Sequence, residues 1–445
     1  MKLFFVSLGC DKNLVDSEKM LALLAKHSIE ITDDEKEAEI IIVNTCSFIH
    51  DAKQESIETI LEMAQLKKEG KCRVLIAAGC LAQRYAREIP EEIPEVDAVV
   101  GTSAYDEIVS VVESSLGGEK TRLLKDIDYL PKGLTDRMAA SSGYTSYLKI
   151  AEGCNKHCTY CIIPSLRGKY RSVPMEELVT EAEALAARGT KELILIAQET
   201  TVYGVDLYGK KSLPVLLQKL CRINGIEWIR LLYCYPEEIT EELLLVMKEE
   251  EKICHYLDLP IQHCNDAILK RMGRRTGKED LIQKIEMIRK ILPEVTLRTT
   301  LISGFPGETS ENHEECIDFI SRMRFDRLGV FPYSPEEGTP AAEFENQLSE
   351  EIKRQWADEI METEQEIIFC QNEAMIGKKF RVIVDGYLPE EAVYIGRTYR
   401  DTPDIDGCVF FSSGYEIVSG TFVTVEVTDA KGYDLIGEIC NEEEM

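Results

Sequence analysis

The chain has 445 residues, enough for two or three domains with substantial cores. It contains no run of eighteen apolar residues, which excludes a membrane-spanning helix. Its formal net charge of −29 is a poor match to a protein that grips phosphates; it suits a basic protein partner, or simply keeps the chain in solution.

Met1 to Ser7 lead into Gly9-Cys10-Asp11-Lys12 too soon for a signal peptide, so a cytoplasmic protein is expected. Fifteen cysteines in such a chain argue for metal or redox chemistry over disulfides. Residues 1 to 116 alternate strands with helices. Leu3 to Val6, Glu39 to Val43 and Val74 to Ala78 read as strands. Met20, Leu23 and Leu24 mark one helix, and Ile57, Ile60, Leu61 and Ala64 the face of another. An open, mostly parallel α/β sheet covered by helices follows. Cys10, Cys46 and Cys80 each come just after a strand, and in a parallel sheet those ends share the edge where ligands usually bind. Three thiols far apart in sequence are thus expected to converge, which suits a cubane iron–sulfur cluster with one iron free; three small buried hydrophobes are the alternative. Cys72 follows no such strand. Residues 117 to 142, with Gly117-Gly118, Pro131, Gly133 and Ser141-Ser142, read as a linker.

Residues 143 to 374 form the next unit. Six strands are expected, at Ser146 to Ile150, Glu192 to Ala197, Trp228 to Tyr233, His255 to Leu259, Val295 to Ile302 and Arg327 to Tyr333. Helices lie between them. One carries Met175, Leu178, Val179, Ala182 and Leu185 behind Pro174; another carries Leu281, Ile285, Ile288 and Leu292. Six such units predict a partial (β/α)6 barrel with chemistry at the C-terminal ends of its strands. The first strand runs straight into Cys154, Cys158 and Cys161, at C-x3-C-x2-C spacing. Three thiolates on one short loop can wrap a cubane and leave one iron open to a small molecule. A zinc knuckle would want a fourth local ligand, and His157 reads as a spacer. Glu199, after the second strand, offers a carboxylate to an ammonium or to ribose hydroxyls; otherwise it is a surface acid. Gly304 and Gly307 would let backbone approach an adenosine closely, or are ordinary turn glycines. Arg274-Arg275, Arg167, Lys169 and Arg171 read as solvated charges rather than substrate clamps. Residues 349 to 374 are one long charged helix with Ile352, Ile360, Ile367 and Ile368 on its apolar side.

From 375 to 445 the pattern changes to five short strands, at Phe380 to Val384, Ala392 to Thr398, Cys408 to Phe411, Phe422 to Thr428 and Leu435 to Ile439, which predicts a small antiparallel β-barrel. From Ile376 onward it holds six Lys or Arg against fourteen Asp or Glu and ends in Glu442-Glu443-Glu444, a poor basis for a phosphate-binding face.

The cysteine loop at 154 to 161 resembles the radical S-adenosylmethionine (SAM) signature. With it, Ser7-Leu8-Gly9-Cys10-Asp11-Lys12-Asn13-Leu14-Val15-Asp16-Ser17-Glu18, Leu195 to Gly204, Leu259-Pro260-Ile261-Gln262-His263, Ile405-Asp406-Gly407 and Tyr433 to Glu438 resemble the radical SAM methylthiotransferases, in the branch that modifies a ribosomal protein. The transfer-RNA branch usually has Gln-Met-Asn where this chain has Asp11-Lys12-Asn13. The resemblance covers nearly the whole chain. It implies addition of a methylthio group to the β-carbon of an aspartate of small-subunit ribosomal protein S-twelve. It implies two 4Fe-4S clusters: one on Cys154, Cys158 and Cys161 that cleaves SAM, and an auxiliary one on Cys10, Cys46 and Cys80 that carries sulfur. It implies an electron donor such as flavodoxin or ferredoxin, and a last barrel of the TRAM type that helps recognise the substrate. Many relatives have Arg-Ser-Arg where Arg171-Ser172-Val173 stands, and Asp11 occupies a place where Pro or Gln is common. Three rival readings are a transfer-RNA methylthiotransferase, a non-catalytic iron–sulfur electron carrier and a zinc-dependent RNA-binding module.

Overall fold

The structure, a computed structural model, describes residues 1–139 and 142–440. Ser141 of the expected linker and the Glu442-Glu443-Glu444 tail lie outside the described residues. The N-terminal sheet has six parallel strands: β1 (Lys2–Ser7), β2 (Glu30–Ile31), β3 (Ile40–Thr45), β4 (Val74–Ala78), β5 (Ala98–Val100) and β6 (Thr121–Leu123), in the order β2-β1-β3-β4-β5-β6. β3 is central and wholly buried, and its pleat explains the unbroken Ile-Ile-Ile-Val run. Ile40 and Ile42 pack with Val74, Ile76 and the helix residues Met20 and Leu24 on one face. Ile41 and Val43 pack with Leu75, Ala77, Ile60 and Met63 on the other. β2, β5 and β6 are two or three residues long, too short to leave a periodic signal, and β6 lies inside the stretch expected as linker. In the helix His50–Glu69 the buried face is Ser56, Ile60, Met63 and Ala64, while Ile57 and Leu61, expected on that face, are exposed.

The central unit places β7 (Thr145–Lys149), then a short antiparallel pair, β8 (Ala151–Glu152) with β9 (Arg171–Ser172). Five more parallel strands follow: β10 (Glu192–Ile196), β11 (Trp228–Leu231), β12 (Ile253–Asp258), β13 (Thr296–Ser303) and β14 (Arg327–Pro332). They pair strictly in sequence, β7-β10-β11-β12-β13-β14, and the sheet stays open. Leu193 and Leu195 face the helices with Leu178 and Leu185. Ile194 and Ile196 face inward, where Val15 from the N-terminal unit and Ile383 from the last domain join Trp228 and Tyr256.

The last domain is a closed barrel of β15 (Lys379–Leu388), β16 (Val393–Arg397), β17 (Val409–Ser412), β18 (Phe422–Lys431) and β19 (Asp434–Ile439), in the order β15-β16-β17-β19-β18. It closes through one parallel pairing, β17 with β19, where an antiparallel barrel was expected. Glu192, at the start of β10, receives the guanidinium of Arg230 at 2.9 Å and that of Arg397 from the barrel at 2.7 Å.

The helix Glu350–Glu373 buries Ile360, Ile367 and Ile368, but leaves Ile352 exposed. It also buries Glu364, whose two carboxylate oxygens meet no partner among the described residues. Desolvation, helped by nearby Asp326, pushes this carboxyl up to about 8 from an ordinary 4.5. Between those values the folded chain keeps a proton that the unfolded chain has lost, so stability falls as pH rises through the window. Glu364→Gln is therefore expected to stabilise the protein by about 2 to 4 kcal/mol at pH 8 and little at pH 5. Urea midpoints at the two pH values check this; an equal gain at both would refute the titration.

Candidate functional site

Gly153, at φ +82°, turns the chain out of β8, and a side chain there would meet the Lys169 carbonyl oxygen at 2.1 Å. This turn delivers Cys154, with Cys158 and Cys161 following on the same loop. Cys154 and Cys158 are buried and Cys161 is half-buried. The Lys156 N–H donates to Cys154 Sγ at 3.4 Å, and the Tyr235 hydroxyl lies 3.9 Å from Cys158 Sγ. Burial pushes the Cys154 thiol up to about 11 and the Cys161 thiol up to about 12. These thiols ionise readily only when a metal takes the place of their protons. A cavity of about 70 Å³ lies beside them, lined in part by Lys156, Cys158, Tyr235, Glu237 and Arg274. Three thiols on one short loop, a backbone N–H on one of them and the cationic Lys156 and Arg274 beside Cys158 fit an anionic iron–sulfur group. His157 enters through its backbone, its carbonyl oxygen packed against Gly273.

Glu199 is buried beside this loop. Its Oε1 accepts from Thr201 Oγ1 at 3.0 Å, and Lys156 Nζ, which also pairs with Glu237 and Glu238, is 3.8 Å away. Burial pushes the Glu199 carboxyl up to about 7. At Gly304 a side chain would meet Lys353 Cγ at 2.4 Å, so one close approach there is to a helix of its own chain. Gly307 faces the Arg271 guanidinium.

The second triad sits on three neighbouring strands. Cys10 follows β1, Cys46 follows β3 and Cys80 follows β4. Gly9, at φ +86°, brings the first turn so close that a side chain there would lie 2.6 Å from Cys46 Cβ. Burial pushes the Cys80 thiol up to about 12, with Cys10 and Cys46 adding in the same direction. Cys46 and Cys80 are buried and Cys10 is exposed. Cys72 is elsewhere, its thiol donating to the Val74 carbonyl.

A buried polar network joins the triads. Arg167 donates to Asp16 Oδ2 at 2.7 Å, Glu152 Oε2 at 3.2 Å, Asn13 Oδ1 at 2.5 Å and Cys80 Sγ at 3.4 Å. Lys149 bonds Glu152 at 2.7 Å and also Asp16. Gln198 donates to Glu152 Oε1 at 2.7 Å and accepts from the Gly153 N–H at 2.9 Å. The chain of contacts thus runs from Cys80 to the residue before Cys154. Arg167, expected as a solvated charge, is buried, and so is Arg274, while Lys169 and Arg275 are exposed. Arg171 holds the Arg167 carbonyl at 3.0 Å. Asp16, Lys149 and Glu152 were missed by sequence reasoning. Asp16 lies on the Asp11–Lys26 helix, which also buries Lys12, Asn13, Ser17, Glu18 and Lys19, while Lys149 and Glu152 lie on β7 and β8. Lys12 lies 3.1 Å above the Tyr233 ring and 2.9 Å from Asp11.

A third group, His263, Cys264 and Cys316, brings its donor atoms within 4.8 Å of one another. Both ring nitrogens of His263 are already engaged, by Glu308 at 3.2 Å and by the Asn265 N–H at 2.9 Å, so this is a satisfied core cluster.

Three family models match the chain: "Uncharacterized protein family UPF0004" over residues 2–101, the radical SAM superfamily over 148–320 and the TRAM domain over 376–440. A ribosomal protein uS12 methylthiotransferase RimO from Lachnoclostridium phytofermentans is 61% identical over 437 residues, covering 98% of this chain and 99% of that one. The protein of the same name from Acetivibrio thermocellus is 50% identical over 451 residues, with 99% of each covered. Among solved structures, the radical SAM methyltransferase TsrM from Kitasatospora setae shares the fold at a TM-score of 0.55 and 15% identity, over 76% of this chain and 74% of that one. No helix of the described residues is long and apolar enough to cross a membrane.

Proposed function

The chain belongs to the ribosomal protein uS12 methylthiotransferases, a radical SAM family, and on that premise we propose that it adds a methylthio group to the β-carbon of an aspartate of uS12. The observation that carries the proposal is the pair of cysteine triads, one on each side of the junction between the first two domains, tied together by Arg167 and Glu152. An aspartate β-C–H bond has no acidic proton, so ordinary acid–base groups cannot open it and a cofactor must. Two 4Fe-4S clusters and SAM, when bound, supply radical hydrogen abstraction and a methylated sulfur.

The chain's own residues do the rest. Cys154, Cys158 and Cys161 would hold the SAM-cleaving cluster, and Cys10, Cys46 and Cys80 the auxiliary one. Glu199 would take the ammonium of SAM, with Lys156 holding its carboxylate in place. The buried network of Arg167, Glu152 and Gln198 runs from Cys80 to Gly153 and would hold the two triads in register. Acidic residues outnumber basic ones in the last barrel, which suits a basic ribosomal protein and not transfer RNA. A flavodoxin or ferredoxin would supply electrons.

Mass spectrometry of uS12 from cells with and without the gene tests this. One methylthio increment on an aspartate, lost in the deletion and restored by the intact gene, is expected. Identical uS12 from both strains would overturn the reading. Glu199 adds a pH dependence. Binding an ammonium favours the ionised carboxylate, so below about 7 the site must lose a proton to bind. SAM affinity is expected to rise up to tenfold per pH unit below that value and to level off above it. Glu199→Gln should flatten the profile, as equilibrium dialysis would measure; an unchanged profile in that variant would remove Glu199 from the site.

A further inference from the structure

Arg274 follows the Asp266–Arg271 helix, in a turn fastened to the first cysteine loop. The Thr159 N–H donates to the Met272 carbonyl at 2.9 Å, and Thr159 Oγ1 donates to the Arg271 carbonyl at 2.8 Å. The guanidinium lies over the Tyr235 ring, 4.4 Å from its centre, and that tyrosine's hydroxyl is the group beside Cys158 Sγ. The side chain is 2% exposed. Nη2 donates to the Pro260 carbonyl at 3.0 Å and stands 4.0 Å from Glu237. Nε and Nη1 are buried and meet no acceptor among the described residues. Leaving charged donors buried and unmet is costly, and Arg274 lines the same small cavity as Cys158, which marks a place for negative charge beside it.

We propose that Arg274 is a positioning residue for the first cluster, its two free donors directed at the negative charge that Cys158 and the cluster sulfides carry. Arginine cannot give up its proton, so its charge is constant and favours the more negative, reduced form of the group it faces. The inference rests on the assignment of Cys154, Cys158 and Cys161 as cluster ligands, and not on the identity of the substrate.

The test uses reconstituted full-length enzyme, with Arg274→Met and Arg274→Lys beside the unaltered chain. Iron and sulfide content are measured first. The first cluster is followed through the electron paramagnetic resonance signal that changes when SAM is added. At a fixed potential the ratio of reduced to oxidised first cluster is expected to fall about tenfold in Arg274→Met, equivalent to about 59 mV for one electron. Arg274→Lys should stay near the unaltered value, and SAM affinity of the oxidised enzyme should hold in both variants. A SAM affinity that drops tenfold while the ratio holds would overturn the proposal and assign the donors to the SAM carboxylate. No change in either quantity would also overturn it and reduce Arg274 to packing. Should Arg274→Met fail to load iron, Arg274→Lys decides: normal loading with the normal ratio supports a charge role, and a lost ratio with full loading refutes it. An unaltered enzyme without a SAM-responsive signal would instead sink the cluster assignment.

Discussion

Alanine at Cys154, Cys158 or Cys161 is expected to abolish SAM cleavage, lowering 5′-deoxyadenosine formation by about a thousandfold or more, because no remaining group on that loop replaces a thiolate ligand. Alanine at Cys10, Cys46 or Cys80 is expected to do something different. SAM cleavage should persist within about threefold, while methylthiolated product falls by about a hundredfold or more. The asymmetry follows from position. The first triad lies on a single loop of the central domain and owes its geometry to Gly153; the second is spread over three strands of another domain. Assays of both products on each variant, with iron counted, separate the roles. Full methylthiolation by Cys46→Ala would end the two-cluster scheme.

Arg167→Met should be the most damaging single change outside the cysteines. The guanidinium is 2% exposed and neutralises two equally buried carboxylates, Asp16 and Glu152, across the domain junction. Methionine keeps the aliphatic stem but leaves those carboxylates sharing the one Lys149 charge, a loss of about 3 to 5 kcal/mol for a broken buried pair. Denaturant unfolding followed by fluorescence would show it as a lower midpoint, with the first two domains no longer melting together. Adding Asp16→Asn to Arg167→Met should recover part of the loss, since it removes one of the stranded charges. If the double variant is as unstable as the sum of the two single ones, the network is not the source of the stability.

The placement of Cys10, Cys46 and Cys80 after strands, and the long strands themselves, were legible from the sequence because their signals are local. A Cys after a β-branched run is visible in a few residues, and Val74–Ala78 was bounded to the residue. What escaped depends on partners far along the chain. The two-residue β2 exists only because β1 lies beside it. Ile57 and Leu61 have the spacing of a buried face, yet the sheet meets the helix one step round, at Ile60 and Ala64. Asp16, Glu18 and Lys19 carry no apolar signal, and their burial follows from partners in the second domain such as Lys149 and Glu181. Arg167 and Arg274 look like any surface arginines until the groups that bury them are in view. Gly304 shows the converse: a close approach there was readable, but a neighbour it makes room for is Lys353, about fifty residues on.

The double clamp of Arg230 and Arg397 on Glu192 ties the C-terminal barrel to the base of β10, the strand whose far end leads to Glu199. Four residue steps of strand span about 13 Å, and a hydrogen-bonded strand does not stretch. The barrel is therefore a fixed arm, and the distance from anything it holds to the cysteine loops is set by the protein as if by a ruler.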